Sequence, residues 1–252
     1  AGCRSGGLSF DESFGPVRRG ADETVLAFGS CLRTTRPAPL LDEIAAVEPD
    51  ALILLGDNVY VTGHRRSASA GGFDKAYGRL AKMPSWQRLR AAAPRLLATW
   101  DDHDYGRNDA GASWRLKDEA KEAFLRFFEI PTDSPIRERG GVYHAAAWGE
   151  PGRRVQVLLL DTRWFRDRLR ARATGLIGRG GPYLPTADTS RTLLGEAQWA
   201  WLEEKLREPA DVRVIASSIQ VLAGGHGWET WANFPHERQR LFELITQTNA
   251  RG

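Results

Sequence analysis

Short apolar runs in this chain stop, one after another, at side chains able to bind metal or move protons. Thr24–Phe28 leads to Gly29-Ser30-Cys31, and Ala51–Leu55 to Gly56-Asp57-Asn58. Arg95–Trp100 leads to Asp101-Asp102-His103-Asp104, and Val155–Leu160 to Asp161. Such runs, bounded by turn-forming residues, read as buried strands. Gly141–Trp148 and Val212–Ala216 read as further strands. Between them lie segments predicted to be helical: Pro39–Val47, Phe73–Met83, Ser85–Ala92, Leu116–Phe128, Gly195–Arg207 and Pro235–Thr248. Strands alternating with helices imply an α/β fold. In such folds ligands bind at the C-terminal ends of strands, where loops from distant sequence meet in one crevice. One polar residue there is unremarkable. Cys31, Asp57, Asp101 and Asp161 together favour a metal centre.

The densest stretch is Trp100–Gly111, which carries Asp101, Asp102, His103, Asp104, Asn108 and Asp109. Carboxylates so close repel one another unless a cation or hydrogen-bond donors neutralise them. Taken singly, each candidate has an ordinary explanation. Asp57 suits a turn, Cys31 a small buried hydrophobe, Tyr60 the core, and His103 a satisfied structural histidine. Jointly they offer thiolate, carboxylate, phenolate and imidazole near one sheet edge. Oxygen ligands suit Ca²⁺, Mg²⁺, Mn²⁺ or Fe³⁺, whereas thiolate favours a transition metal. A mixed site of two or more metals can clamp phosphoryl oxygens and activate water for in-line attack.

Five motifs carry a family resemblance: GSC at 29–31, GDNVY at 56–60, WDDHDYGRND at 100–109, LLLDTRWFRD at 158–167 and SSIQ at 217–220. In this order they resemble the alkaline phosphatase D (PhoD-like) family of metallophosphoesterases. LGEAQWAWLEEKL and WANFPHERQRL are similar to that family too. The resemblance implies a calcineurin-like sandwich of two mixed β-sheets flanked by helices, hydrolysing phosphomonoesters or phosphodiesters by a metal-activated water. It implies Fe³⁺ together with Ca²⁺, with Mn²⁺, Mg²⁺ or Zn²⁺ as alternatives. Cys31, Asp57 and Tyr60 are then the iron-side ligands, and Asp102, Asp101 and Asn58 the candidates for the second position. His103 would face the leaving-group oxygen. Asp161 and Arg163 occupy the family's Asp-x-Arg position, as a phosphate contact or as orienting groups.

The expected organisation is an irregular segment at 1–21 and a metallophosphoesterase domain at 22–252. The family's further strand and Gly-Asp-x-His motif are not found after the last helix, so the domain is expected to be incomplete there. His226, in a Gly-rich loop, is a possible substitute, and His236 reads as a surface residue. Two other functions stay open: a non-catalytic binding remnant of the same fold, and a metal hydrolase acting on lactones or sulfate esters.

Composition narrows the partners. A 42% hydrophobic content over 252 residues supports a folded core, and a net charge of +3 without a basic run argues against nucleic-acid recognition. The arginines at 168, 170, 172 and 179 suggest either a phosphate entry path or a solvated loop. Two cysteines make no disulfide framework. No run is long enough for a membrane-spanning helix. Ala1-Gly2-Cys3 resembles a lipoprotein processing site, which would tether the chain through Cys3 and place it in the cell envelope, periplasmic or secreted.

Overall fold

A computed structural model of the chain describes residues 23–61, 68, 70–173 and 180–250. The expected irregular segment 1–21 and the Cys3 tether lie outside them. The first sheet joins β1 (Leu26–Gly29), β2 (Ala51–Leu54) and β3 (Leu96–Ala98) in that order. All three strands are parallel, with Leu26 opposite Ala51 and Leu52 opposite Leu96. Parallel neighbours need crossovers. Here α1 (Leu40–Ala46) provides the first, and α2 (Ala70–Ala81) with α3 (Pro84–Ala92) the second.

The second sheet is mixed. β4 (His144–Trp148) pairs antiparallel with β5 (Val155–Leu159), across a turn whose Gly149 and Gly152 both have positive φ. β8 (Val212–Ala216) returns parallel to β5 after α7 (Glu196–Leu206). The remaining helices are α4 (Asp102–Tyr105), α5 (Lys117–Phe127), α6 (Pro135–Glu138) and α8 (Pro235–Gln247). A two-residue pair, β6 (Arg170–Ala171) and β7 (Tyr183–Leu184), interrupts a region with no readable periodicity.

Alternation within each strand explains the layers, because successive side chains point to opposite sheet faces. On β2, Ile53 packs against Val155, Val157 and Leu159 of β5, in the layer between the sheets. Leu52 and Leu54 face outward onto Phe73, Leu80, Leu89 and Phe124 of α2, α3 and α5. Leu158 and Leu160 face the other way, onto Leu202 and Leu206 of α7 and Leu241 and Leu244 of α8. The result is helix, sheet, sheet, helix. Thr99, just past β3, donates its hydroxyl to the Leu160 carbonyl at 2.8 Å, so the C-terminal ends of both sheets meet at one edge. No helix among the described residues is long and apolar enough to cross a membrane.

Candidate metal centre

The loops after β1 and β2 are stitched together by backbone hydrogen bonds, Leu32 N–H to the Asp57 carbonyl (2.8 Å) and Cys31 N–H to the Gly56 carbonyl (3.2 Å). Gly56 has φ 107° and lies so close to the end of β3 that a Cβ there would sit 2.6 Å from the Asp101 nitrogen. Only glycine allows this approach. Cys31 (φ 61°) and Asp57 (φ 53°) are also left-handed. For residues bearing a side chain that costs roughly 1–2 kcal/mol each, and such strain gathers where geometry serves a ligand.

Asp57 is the hub. Its Oδ2 accepts the Tyr60 hydroxyl at 3.0 Å and the Cys31 thiol at 3.7 Å, and its Oδ1 accepts the His103 backbone N–H at 3.3 Å. The His103 ring lies against the Tyr60 ring, with centroids 4.3 Å apart, and its Nε2 is 4.0 Å from Asp102 Oδ1. Asp57, Asp102 and His103 each offer a ligand atom within 4.8 Å of the other two. Burial, and then the neighbouring Asp102 charge, push the Asp57 carboxyl above its usual range. Burial also pushes up the Cys31 thiol and the Tyr60 phenol. A cation among them would reverse every one of these shifts. Asn58 is buried; its amide N–H donates to the Thr99 carbonyl at 2.9 Å, while its Oδ1 has no hydrogen-bond partner. A buried, unpaired amide oxygen beside thiol, phenol, carboxylate and imidazole fits a mixed hard and soft metal site.

Asp101, Asp161 and Arg163 are placed differently. Asp161 is fully buried and accepts three backbone N–H groups, from Val142 (2.9 Å), Arg163 (2.8 Å) and Trp164 (2.9 Å). Gln198 clamps the backbone N–H and carbonyl of Asp161, both at 2.8 Å. Arg163 is equally buried, and all five of its guanidinium hydrogens are engaged. Nε and Nη2 hold Asp101, Nη1 and Nη2 hold Glu229, and Nη1 also reaches the Ala110 carbonyl. Of the two readings left open for Asp161 and Arg163, phosphate contact or orientation, these bonds describe orientation, since every Arg163 N–H is already spent on the protein. Asp101, expected as a metal ligand, spends Oδ1 on this arginine and caps α4.

Comparison with known proteins fits this arrangement. Residues 26–252 match the family described as PhoD-like phosphatase. The chain belongs to this family. A solved structure described as "Structure of PhoD" superposes with a TM-score of 0.67 at 20% identity, covering 90% of this chain and 49% of that one. At that identity the likeness is one of fold, and the chain spans about half the length of that relative. No curated protein matches.

The PhoD-like sandwich brings in residues that sequence reasoning did not propose as ligands. Asp102, Asp109 and Glu229 form a second group with ligand atoms within 4.8 Å of one another, and Asp109 N–H donates to Asp102 Oδ2 at 2.7 Å. Asp109 was visible in the acidic stretch. Glu229 carried no signal, and its charge is already answered by Arg163 and by Arg166 at 3.1 Å. Asp102, Asn108, Ser218, His226 and Trp228 line the cleft above this group. His226 accepts the Trp228 backbone N–H on Nδ1 at 3.0 Å. His236, expected at the surface, is half-buried, with Nε2 2.7 Å from the Arg191 carbonyl.

Proposed function

We propose that this chain is the catalytic unit of a metal-dependent phosphate-ester hydrolase, working on small-molecule monoesters, diesters or both. The observation that carries the reading is the set of candidate ligands gathered around Asp57, namely Asp102, His103, Cys31 and Tyr60, together with the unpaired Asn58 Oδ1. Membership of a phosphatase family supports hydrolysis of phosphate esters in general. Cys31, Asp57 and Tyr60 would hold iron, and Asp102 with Asn58 the calcium or another divalent ion. When bound, such ions supply Lewis-acid polarisation of the ester and acidify water.

The chain's own residues do the rest. His103 stands with its backbone N–H on Asp57 and its ring on Tyr60, which fixes the imidazole at the mouth of the group. From there it can hold or release a proton at Nε2 as the leaving-group oxygen departs. Arg163 keeps Asp101 and the start of α4 in place, and so fixes where Asp102 and His103 point. Elemental analysis with a visible spectrum is the direct test. Near-stoichiometric iron with a tyrosinate-to-iron band is expected, together with hydrolysis of bis-p-nitrophenyl phosphate or p-nitrophenyl phosphate that Asp102→Ala abolishes. A colourless protein that takes up no metal, or turnover indifferent to Asp102→Ala, overturns the reading.

A further inference from the structure

Asn108 and Asp109 line two hollows. One is the cleft over Asp102; the other is a neighbouring cavity of about 380 Å³ that shares these two residues with it. Four charged side chains lie on its wall: Arg107, Asp109, Arg166 and Arg168. Two are committed. The Asp109 carboxylate accepts the Tyr183 hydroxyl at 2.6 Å and the Asn108 amide at 2.7 Å. Arg166 is buried, donates to the Asp109 and Asp167 carbonyls, and pairs with Glu229. The other two are not. Arg107 and Arg168 are exposed, and neither pairs with a carboxylate among the described residues. Arg107 rests over the Trp114 ring at 5.8 Å.

Both arginines stand on fixed backbone. Arg107 N–H donates to the Asp102 carbonyl at 3.1 Å, and the Arg168 carbonyl accepts from Arg191 at 2.9 Å. Surface arginines commonly just sit in water. A pair that faces one concavity from anchored positions, on a wall with three arginines and one carboxylate, leaves that concavity a surplus of positive charge. Guanidinium groups bind planar oxyanions bidentately, and anchoring lowers the ordering cost.

We propose that this cavity is an anion subsite that selects phosphate esters whose alcohol or second ester arm carries a further oxyanion, phosphoryl or carboxylate, with Arg107 and Arg168 as the specificity-determining residues. This deepens the hydrolase reading and rests on it. The cavity shares Asn108 and Asp109 with the cleft over Asp102, and the Asp109 N–H is bonded to that candidate ligand, so in this proposal the substrate's remaining arm crosses these two residues to reach the arginines.

The test uses the metal-loaded chain and non-hydrolysable probes, so that binding is read without turnover. Benzylphosphonate, 4-carboxybenzylphosphonate and the corresponding bis-phosphonate are titrated calorimetrically. The two probes with a second anion are expected to bind roughly tenfold tighter than benzylphosphonate, the scale of one or two charge-assisted hydrogen bonds. The advantage shrinks at high salt. The double variant Arg107→Ala, Arg168→Ala binds all three probes alike, and the double lysine variant keeps part of the advantage. Whether the carboxylate or the phosphonate probe gains more tells which oxyanion the subsite takes. Equal binding by the unaltered protein, no binding of any probe, or an advantage that survives the double alanine variant overturns the proposal. If the preference holds while neither p-nitrophenyl phosphate nor bis-p-nitrophenyl phosphate is turned over, the hydrolase reading fails and the anion subsite stands.

Discussion

Two carboxylates, Asp57 after β2 and Asp161 after β5, occupy equivalent places at the ends of strands in the two sheets, and the protein treats them in opposite ways. Asp161 is answered completely, by three backbone N–H groups and a loop clamped by Gln198. Asp57 receives a phenol, a thiol and one long N–H contact, and it faces a second carboxylate. The first arrangement is complete as it stands. The second is short of positive charge. A buried acid at a strand end is thus no guide to chemistry; what identifies the reactive one is the charge that the protein leaves unanswered.

The largest expected effect separates the two. Asp57→Asn should cost roughly 10³-fold in kcat/KM and most of the bound metal. In metal-free protein it should leave the thermal midpoint unchanged or raised, because it removes the repulsion from Asp102. A large fall in that midpoint would show that Asp57 is structural like Asp161. Next comes the brace. Arg163→Met leaves Asp101 without its cation and Glu229 with Arg166 alone, and should destabilise the fold by about 3–5 kcal/mol in urea denaturation. A loss of activity at full stability would instead return Arg163 to the substrate.

Gly56→Ala should cost roughly 2–3 kcal/mol, since the new methyl meets the Asp101 backbone and φ stays positive. It should loosen metal binding too, because it separates the loops that carry Asp57 and Asp102. An unchanged midpoint would mean that the two strand ends do not approach so closely. The smallest effect is on pH. Burial raises the Asp57 carboxyl, and raises that of Asp104 to about 8. Both therefore bind protons more readily folded than unfolded, where the carboxyl titrates near about 3.9. Their contribution to stability is full below that value and is lost as pH rises towards the folded values. Metal-free protein should weaken from about pH 4 to about pH 8, and Asp57→Asn should flatten part of that slope. A slope that Asp57→Asn leaves untouched would place the effect elsewhere.

Much of the rim was legible because it is local. An apolar run followed by Gly-Asp or Asp-Asp-His marks a strand end in a few residues, and Cys31, Asp57, Tyr60, Asp102 and His103 were all found that way. The α/β alternation was legible for the same reason. Arg163 was named too, but its choice between orientation and phosphate contact was not legible, because it depends on Asp101 and Glu229, far away in the chain. Glu229 lies in a Gly- and Trp-rich loop without periodicity, so only the folded partner gives it meaning. The single turn α4 is too short to show a helical period, and its carboxylates serve both as caps and as ligand candidates. The two-residue strands β6 and β7 are likewise too short to read.

Arg163 also sets an order of assembly. It joins Asp101, 62 positions before it, to Glu229, 66 positions after it. Asp101 is synthesised well before its counter-charge Arg163, and Glu229, the last member of the brace, later still. Contacts so distant in sequence form late and slow the search for the native state. Until they close, Asp101 and the start of α4 lack the brace that fixes where Asp102 and His103 point, so the edge that carries the candidate ligands is tied down only after its own segment has long been made.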